Sequence, residues 1–261
     1  MGEAILRGIL DSAFLGASQI TVYDTRRDRK EYIRNNYGVS TAESNLDVVK
    51  SSEYILLAIK PQNLNILLDE IKTGFSGKSS VVISIVAGVA TFYIEEKLNK
   101  KVSVIRVMPN SPALLKKGMS AVSKGKNVSE SDLKFTLDLI GSVGDYVVID
   151  EKYQNIATAL SGSGPAYFFL FCKHLIEAGE KEGLSSEIAK RLVVNTMIGA
   201  GELMKKPEAD IDNLIKMVAS PGGTTEKALK EFGEHKLGEI IKSAVNSAVK
   251  RACELQNFLN K

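Results

Sequence analysis

Tyr54-Ile55-Leu56-Leu57-Ala58-Ile59-Lys60-Pro61 is an apolar run that stops on a lysine and a proline. Its first six residues are continuously apolar rather than alternating, as expected of a strand buried on both faces in a parallel sheet flanked by helices. Pro61 presets the turn that follows, so Lys60 leaves the strand end in a fixed direction. Similar runs stand at Ile20–Tyr23, Val81–Val86, Val102–Met108, Ala121–Ser123 and Tyr146–Ile149. Helix-forming stretches fall between them at 3–14, 26–36, 45–51, 62–73, 91–99 and 130–141. This alternation predicts an α/β fold with a parallel, doubly wound sheet over residues 1–150.

Beyond Asp150 the β-branched runs stop. Residues 151–261 read as helices broken at Ser161–Pro165, Gly183–Ser186, Lys206–Asp210, Ala219–Thr224 and Gly233. Tyr167-Phe168-Phe169-Leu170-Phe171, and Leu192-Val193-Val194 with Met197 and Ile198, are apolar on most of a helix circumference. A lone bundle of this size leaves some of that surface exposed, which predicts a second, all-α domain over 151–261 that also makes subunit contacts.

The 261 residues carry 34 Lys+Arg against 31 Asp+Glu, a net charge of +3 that gives no argument for nucleic acid or an acidic membrane. Glu3, Arg7 and Asp11 interrupt the first 20 residues where a secretory signal has an unbroken apolar core. No continuously apolar run reaches the roughly 20 residues a spanning helix needs. Two cysteines, Cys172 and Cys253, cannot staple a chain of this length, so a reducing compartment, the cytoplasm, is expected. His174 and His235 have no second ligand at metal spacing, so no metal is expected. Neither G-x-S-x-G nor a P-loop is present to support hydrolase or kinase chemistry.

Ligands of open α/β sheets bind beyond the carboxyl ends of the strands. Val22-Tyr23-Asp24 is followed by Thr25-Arg26-Arg27: an acid there can bond a ribose 2′-hydroxyl, and arginines just beyond can hold a 2′-phosphate. The plainer alternative is a solvated helix start. Ala87-Gly88-Val89 has side chains small enough for a flat ligand to approach the backbone. Pro109-Asn110-Ser111-Pro112 is a stiff loop holding one amide. Ser161-Gly162-Ser163-Gly164-Pro165 suggests close backbone approach, to a ligand or to a neighbouring helix. Ser220-Pro221-Gly222-Gly223-Thr224-Thr225 feeds a helix start whose free N–H groups form an anion site, with the hydroxyls of Ser220, Thr224 and Thr225 around it. Thr224 as an ordinary N-cap accounts for only one of those hydroxyls.

Five of these stretches occur together: Ala58-Ile59-Lys60-Pro61, Ala87-Gly88-Val89, Arg106-Val107-Met108-Pro109-Asn110, Leu160-Ser161-Gly162-Ser163-Gly164-Pro165-Ala166-Tyr167 and Ser220-Pro221-Gly222-Gly223-Thr224-Thr225. In this order and spacing the chain resembles, over its whole length, the pyrroline-5-carboxylate reductases. The last two motifs are specific to that family; the first three are shared with related nicotinamide-dependent enzymes. The resemblance implies a Rossmann-like first domain and an all-α dimerisation domain. It also implies the last step of proline synthesis, in which NADPH or NADH gives a hydride to the C=N carbon of 1-pyrroline-5-carboxylate. A homodimer, with assembly into rings as a further option, is implied as well. By analogy Asn45 contacts the adenosine ribose beside Asp24 and Arg26. Ala58, Ile59, Lys60 and Pro61 and the Val86-Ala87 backbone line the ribose and nicotinamide, and Asn110 is a further candidate for binding the cofactor. Glu151 lies beside the substrate ring nitrogen.

An anionic substrate with a cationic iminium needs a carboxylate clamp that does not compete for the imine. Backbone N–H groups from Gly222, Gly223, Thr224 and Thr225 meet that need better than an arginine. Thr225 is the candidate proton donor or relay, with Ser220 supporting the carboxylate.

The family pattern opens with a strand and G-x-G-x-x-G, of which Met1-Gly2 matches only the last two positions, so a missing first strand and weakened cofactor binding are expected. Asp24 stands where the family often has a small hydroxyl or amide residue. It leans towards NADH, whereas Arg26 and Arg27 lean towards NADPH. Two other readings stay open: a reductase of another small imine or keto acid, and an N-terminally truncated, inactive or regulatory homologue.

Overall fold

The computed structural model describes residues 1–75, 80–98 and 101–259; Asn99, the last residue of the helix expected over 91–99, lies outside them. The chain divides into two compact units, Met1–Ser163 with Ala248–Lys261, and Gly164–Ser247.

In the first unit the order is α1 (Gly2–Asp11), β1 (Thr21–Val22), α2 (Arg27–Tyr37), β2 (Ser40–Thr41), α3 (Asn45–Ser51), β3 (Tyr54–Leu57) and α4 (Leu64–Ile71). Then come β4 (Val81–Ser84), α5 (Thr91–Leu98), β5 (Ser103–Met108), β6 (Gly118–Lys124), α6 (Glu130–Gly141), β7 (Gly144–Val148) and α7 (Gln154–Ala157). Strands β1 and β2 form a parallel pair, and a five-stranded sheet runs β3-β4-β5-β6-β7. Successive residues of these strands serve opposite faces. Ile55, Leu57, Val82 and Val104 pack with Val49 of α3, Leu67 of α4 and Ile94 of α5. Val81, Ile83, Ile105 and Val107 pack with Ile5 and Ile9 of α1 and Leu133 and Ile140 of α6. Helices therefore cover both faces, as a doubly wound fold requires, and each buried aliphatic side chain contributes about 1.5–3 kcal/mol.

The structure corrects the sequence reading in several places. The sheet is parallel except between β5 and β6. Those two are joined by the Ser111–Leu115 3-10 turn, which is too short for the crossover a parallel pair needs. Strand β7, expected to be buried on both faces, is the outer edge, and Tyr146, Val147 and Val148 are exposed. Strand β2 has two residues and left no periodicity to read. Helix α1 ends at Asp11, before the left-handed Ala13.

The expected boundary at residue 150 does not coincide with the compact units. Residues 151–163 stay with the sheet because the buried Gln154 amide donates to Ala121 O (3.2 Å) and Ser123 Oγ (2.9 Å). Asn155 in turn donates to Gln256 Oε1 (2.7 Å), tying the C-terminal turns of the last helix to the same unit.

Glu3 fastens α1 to α2. Its Oε1 accepts from the Tyr37 hydroxyl at 2.7 Å and its Oε2 from Arg29. The Tyr37 hydrogen bond first, and then Arg29, hold the Glu3 carboxyl below its ordinary range, and the same bond pushes the Tyr37 phenol up to about 12. A carboxyl depressed on folding stabilises the protein in full above its unfolded pKa, and that contribution is lost as pH falls through the folded value. Glu3→Gln is therefore expected to lower the urea midpoint at neutral pH, with the gap to the parent closing in acid.

The second unit is built of α8 (Gly164–Lys181), α9 (Ser186–Met204), α10 (Ile211–Val218), α11 (Thr224–Glu234) and the first part of α12 (Leu237–Leu259). Ser185 and Asp210 cap α9 and α10 by accepting from Ile188 N and Asn213 N. Gly233, expected to break a helix, lies inside α11, and the turn comes at Lys236 with φ 55°. Only Gly164, Cys172 and Ala189 of this unit are buried. Cys172 is buried, with its Sγ 3.1 Å from Met197 Sδ. Among the described residues no helix is long and apolar enough to cross a membrane.

Candidate active site

In the first unit the expected cofactor residues stand at strand ends. Strand β3 stops at Leu57, leaving Ala58 exposed and Ile59 half-buried. Pro61 opens a 3-10 turn under the exposed Lys60, whose carbonyl accepts from Asn63 N at 3.0 Å. A methyl group on Gly2 would come within 2.9 Å of Ala58 Cβ, so the start of α1 lies directly against the end of β3. Met1, at the N-cap of α1, offers no side-chain cap, which leaves the first-turn N–H groups of that helix available to an anion. After β4, Val86 is buried and Ala87 half-buried, and Gly88 takes φ +76°, a left-handed turn that favours glycine. Asp24 is half-buried and its Oδ1 accepts from Arg26 N at 2.9 Å. This donor set fits a dinucleotide: open helix N–H groups for a pyrophosphate, small residues for a flat ring and a carboxylate for a ribose hydroxyl.

Two expected cofactor residues are engaged elsewhere. Asn45 opens α3 and donates to Glu70 Oε2 at 2.9 Å. Asn110 accepts from Met119 N at 2.9 Å and donates to Ser161 O at 3.2 Å, so its amide rivets the end of β5 to the Ser161-Gly162 segment. That segment is a π-helical turn, Thr158–Gly162, and a methyl on Gly162 would meet Met108 Cε at 2.8 Å. The small residues there serve close packing against β5.

Glu151 is likewise committed. Its Oε1 accepts from Thr91 N and its Oε2 from Thr91 Oγ1, both at 2.7 Å, at the head of α5. Arg106 Nη1 lies 3.5 Å from Glu151 Oε1, an ion pair too long for a strong hydrogen bond. The Arg106 side chain is 2% exposed, and among the described residues Nη1 and Nη2 have no hydrogen-bond partner at ordinary geometry. Burial pushes its guanidinium below the ordinary value, and Glu151 partly offsets that. Thr91 and Arg106 were not singled out individually from sequence, although an arginine inside the apolar run Val102–Met108 was the signal.

In the second unit, Ala219–Gly223 links α10 to α11. Gly222 has φ +72°, and Gly223 N donates to Ser220 O at 2.9 Å, closing the turn. Gly223, not Thr224, is the N-cap of α11, with Thr224 and Thr225 in its first turn. Gly222 N donates to Glu226 Oε2 at 2.8 Å, so the turn holds a carboxylate of its own chain. Sequence reasoning missed Glu226, three residues beyond the cap, where a side chain reaches back to such donors. A substrate carboxylate directed here has to displace it. Glu226→Gln is expected to lower the substrate KM a few-fold, read from initial rates.

The pattern described as pyrroline-5-carboxylate reductase dimerisation matches residues 151–255, and that of an F420-dependent NADP oxidoreductase matches residues 1–88. The chain is 34% identical over 257 residues to the pyrroline-5-carboxylate reductase of Pseudomonas aeruginosa, spanning 98% of this chain and 94% of that one. It belongs to the pyrroline-5-carboxylate reductase family. The Haemophilus influenzae reductase is 35% identical over 261 residues, 99% of this chain and 95% of its own. Among solved structures, the reductase of Coxiella burnetii superposes with a TM-score of 0.92 at 31% identity, covering 97% of this chain and 94% of that one. The Plasmodium falciparum reductase with NADP bound gives 0.87 at 32% identity, covering 98% and 94%. These relatives share the Rossmann-like sheet and helical second part of this member of the reductase family.

Proposed function

We propose that the protein is an NAD(P)H-dependent pyrroline-5-carboxylate reductase, which reduces the C=N bond of 1-pyrroline-5-carboxylate to L-proline as the last step of proline synthesis. The observation that carries this reading is the Ser220–Thr225 turn, where Gly222 N already holds a carboxylate oxygen at 2.8 Å. A substrate with a carboxylate next to an imine is matched by such a turn, because neutral N–H donors hold the anion without repelling the iminium. Once Glu226 is displaced, the N–H groups of Gly222, Thr224 and Thr225 grip the carboxylate, Gly223 N stays on Ser220 O to shape the turn, and the Ser220 hydroxyl supports the anion. Clamping one end of a small ring fixes the direction of its C=N bond, and orientation is the larger part of what the turn contributes.

When bound, the reduced nicotinamide supplies the hydride that becomes the new C–H bond. The imine nitrogen takes one proton, and Thr225 Oγ1 either donates it or holds an already protonated nitrogen in place. In the first unit, the head of α1, Ala58–Pro61, the Val86-Ala87 backbone and Asp24 hold the dinucleotide. Glu151 fixes Thr91 at the head of α5, next to that backbone. The active form is a homodimer formed through the second unit, in rings where dimers associate further, and it works in the reducing cytoplasm that two free cysteines suit.

The test is oxidation of NADH or NADPH by the purified chain with 1-pyrroline-5-carboxylate, with proline identified as product. Turnover only with another cyclic imine would overturn the substrate, and no turnover with any imine would favour a regulatory role.

A further inference from the structure

Four cations follow β1 on the way into α2, at positions 26, 27, 29 and 30, and the structure assigns most of them to partners other than a ligand. Arg27 Nε bonds Glu31 Oε1 at 2.9 Å along the same helix. Arg29 is drawn back to Glu3 on α1 and lies over the Tyr32 ring at 4.8 Å. Lys30 Nζ sits 3.6 Å from Glu43 Oε2 and 3.4 Å from Ala42 O, over the ring of Tyr23 at 5.2 Å. Arg26 alone of the four has no ion pair among the described residues, and its side chain is exposed.

Asp24 is in the opposite condition. It is half-buried, and the Arg26 N–H on Oδ1 at 2.9 Å fixes the direction of its carboxylate. Oδ2 has no partner among the described residues and is left to accept from an outside hydroxyl. The strand end expected at the adenosine ribose therefore presents a carboxylate held at one oxygen, with the exposed Arg26 beside it and Arg29, shared with Glu3, within electrostatic reach.

We infer that Asp24 makes this chain selective for NADH over NADPH, by accepting a hydrogen bond from the ribose 2′-hydroxyl and repelling a 2′-phosphate. The inference rests on the reading of the first unit as the dinucleotide site and deepens it. A 2′-phosphate brings close to two negative charges into the space next to a carboxylate held in place by the Arg26 N–H. Of the two arginines that pull towards NADPH when read from sequence, Arg27 would have to break its pair with Glu31, which leaves the exposed Arg26 to offset those charges alone. The Plasmodium falciparum relative was solved with NADP bound, so the shared fold admits that cofactor and the choice falls to side chains at this strand end.

The experiment is a fluorescence titration of the full chain with NADH and with NADPH, repeated on Asp24→Asn. Asparagine keeps the shape and an oxygen for the Arg26 N–H, and removes only the charge. The parent is expected to bind NADH at least about tenfold more tightly, a difference of about 1.4 kcal/mol. Asp24→Asn is expected to narrow that ratio several-fold through tighter NADPH binding, with an unchanged thermal midpoint as evidence that the fold is intact. Equal or tighter binding of NADPH by the parent overturns the inference and leaves the reductase reading standing. So does a ratio that Asp24→Asn leaves unaltered. Failure of either dinucleotide to bind overturns both.

Discussion

Thr225→Ala is expected to cut kcat/KM for 1-pyrroline-5-carboxylate by about a hundredfold or more, the range that a positioned proton-transfer group contributes. The side chain sits in the first turn of α11, half-buried, next to the N–H groups assigned to the substrate carboxylate. Removing its hydroxyl takes away the donor proposed for the reacting nitrogen and leaves the backbone N–H groups in place. The loss should therefore fall on kcat more than on KM, with dinucleotide binding unaltered. Thr225→Ser, which restores the oxygen, is expected to recover most of the rate. An unchanged kcat/KM for the alanine variant would remove Thr225 from the mechanism.

Gly144→Ala is expected to destabilise the fold by more than about 4 kcal/mol, read as loss of a cooperative unfolding transition or of soluble protein. Gly144 begins β7 with φ +149° and pairs with Gly118 of β6. A methyl there would lie 2.1 Å from Gly118 O and 2.4 Å from Gly118 N. Both atoms are backbone, so no side chain can move aside to relieve the overlap. Gly141→Ala, in the preceding helix, is the contrasting control, because its nearest outside neighbour is Tyr146 Cε1 at 3.7 Å, an ordinary contact. Similar losses in the two variants would show that the Gly118 contact is not the cause.

What could be read from sequence, and what could not, follows from the range of the forces involved. Strands β3, β4 and β5 were legible because burial on both faces writes itself as an unbroken apolar run. Helix α6 was placed at Glu130–Gly141, where the Ser129 capping box marks its start. Strand β7 was placed as a strand but not as an edge, since Tyr146-Val147-Val148 looks the same whether or not a neighbour covers it.

At the site, local chemistry was legible and tertiary pairing was not. The Gly222-Gly223 turn into a helix start is a short-range feature and was legible, but that Gly223 N is held by Ser220 O and Gly222 N by Glu226 was not. Asn45, Asn110 and Glu151 are polar residues whose partners, Glu70, Ser161 and Thr91, lie 25, 51 and 60 positions away. Sequence alone does not say whether such a group faces a ligand or another part of the chain. The Asp24 and Arg27 ambiguity has the same origin, because it turns on which cations the fold has already claimed.

The sparse interior of the second unit bears on how this protein responds to dilution. With Gly164, Cys172 and Ala189 its only buried residues, and Phe168, Phe169 and Leu170 more than half exposed, α8–α11 have little interior of their own to lose on unfolding. The pattern matching residues 151–255 is described as pyrroline-5-carboxylate reductase dimerisation, and these exposed faces are what an association through that region has to bury. Folding and association then share one free energy, and mass action enters the stability itself: the melting temperature rises with the logarithm of protomer concentration. A cell that makes little of this enzyme holds it nearer its unfolding point than one that makes much.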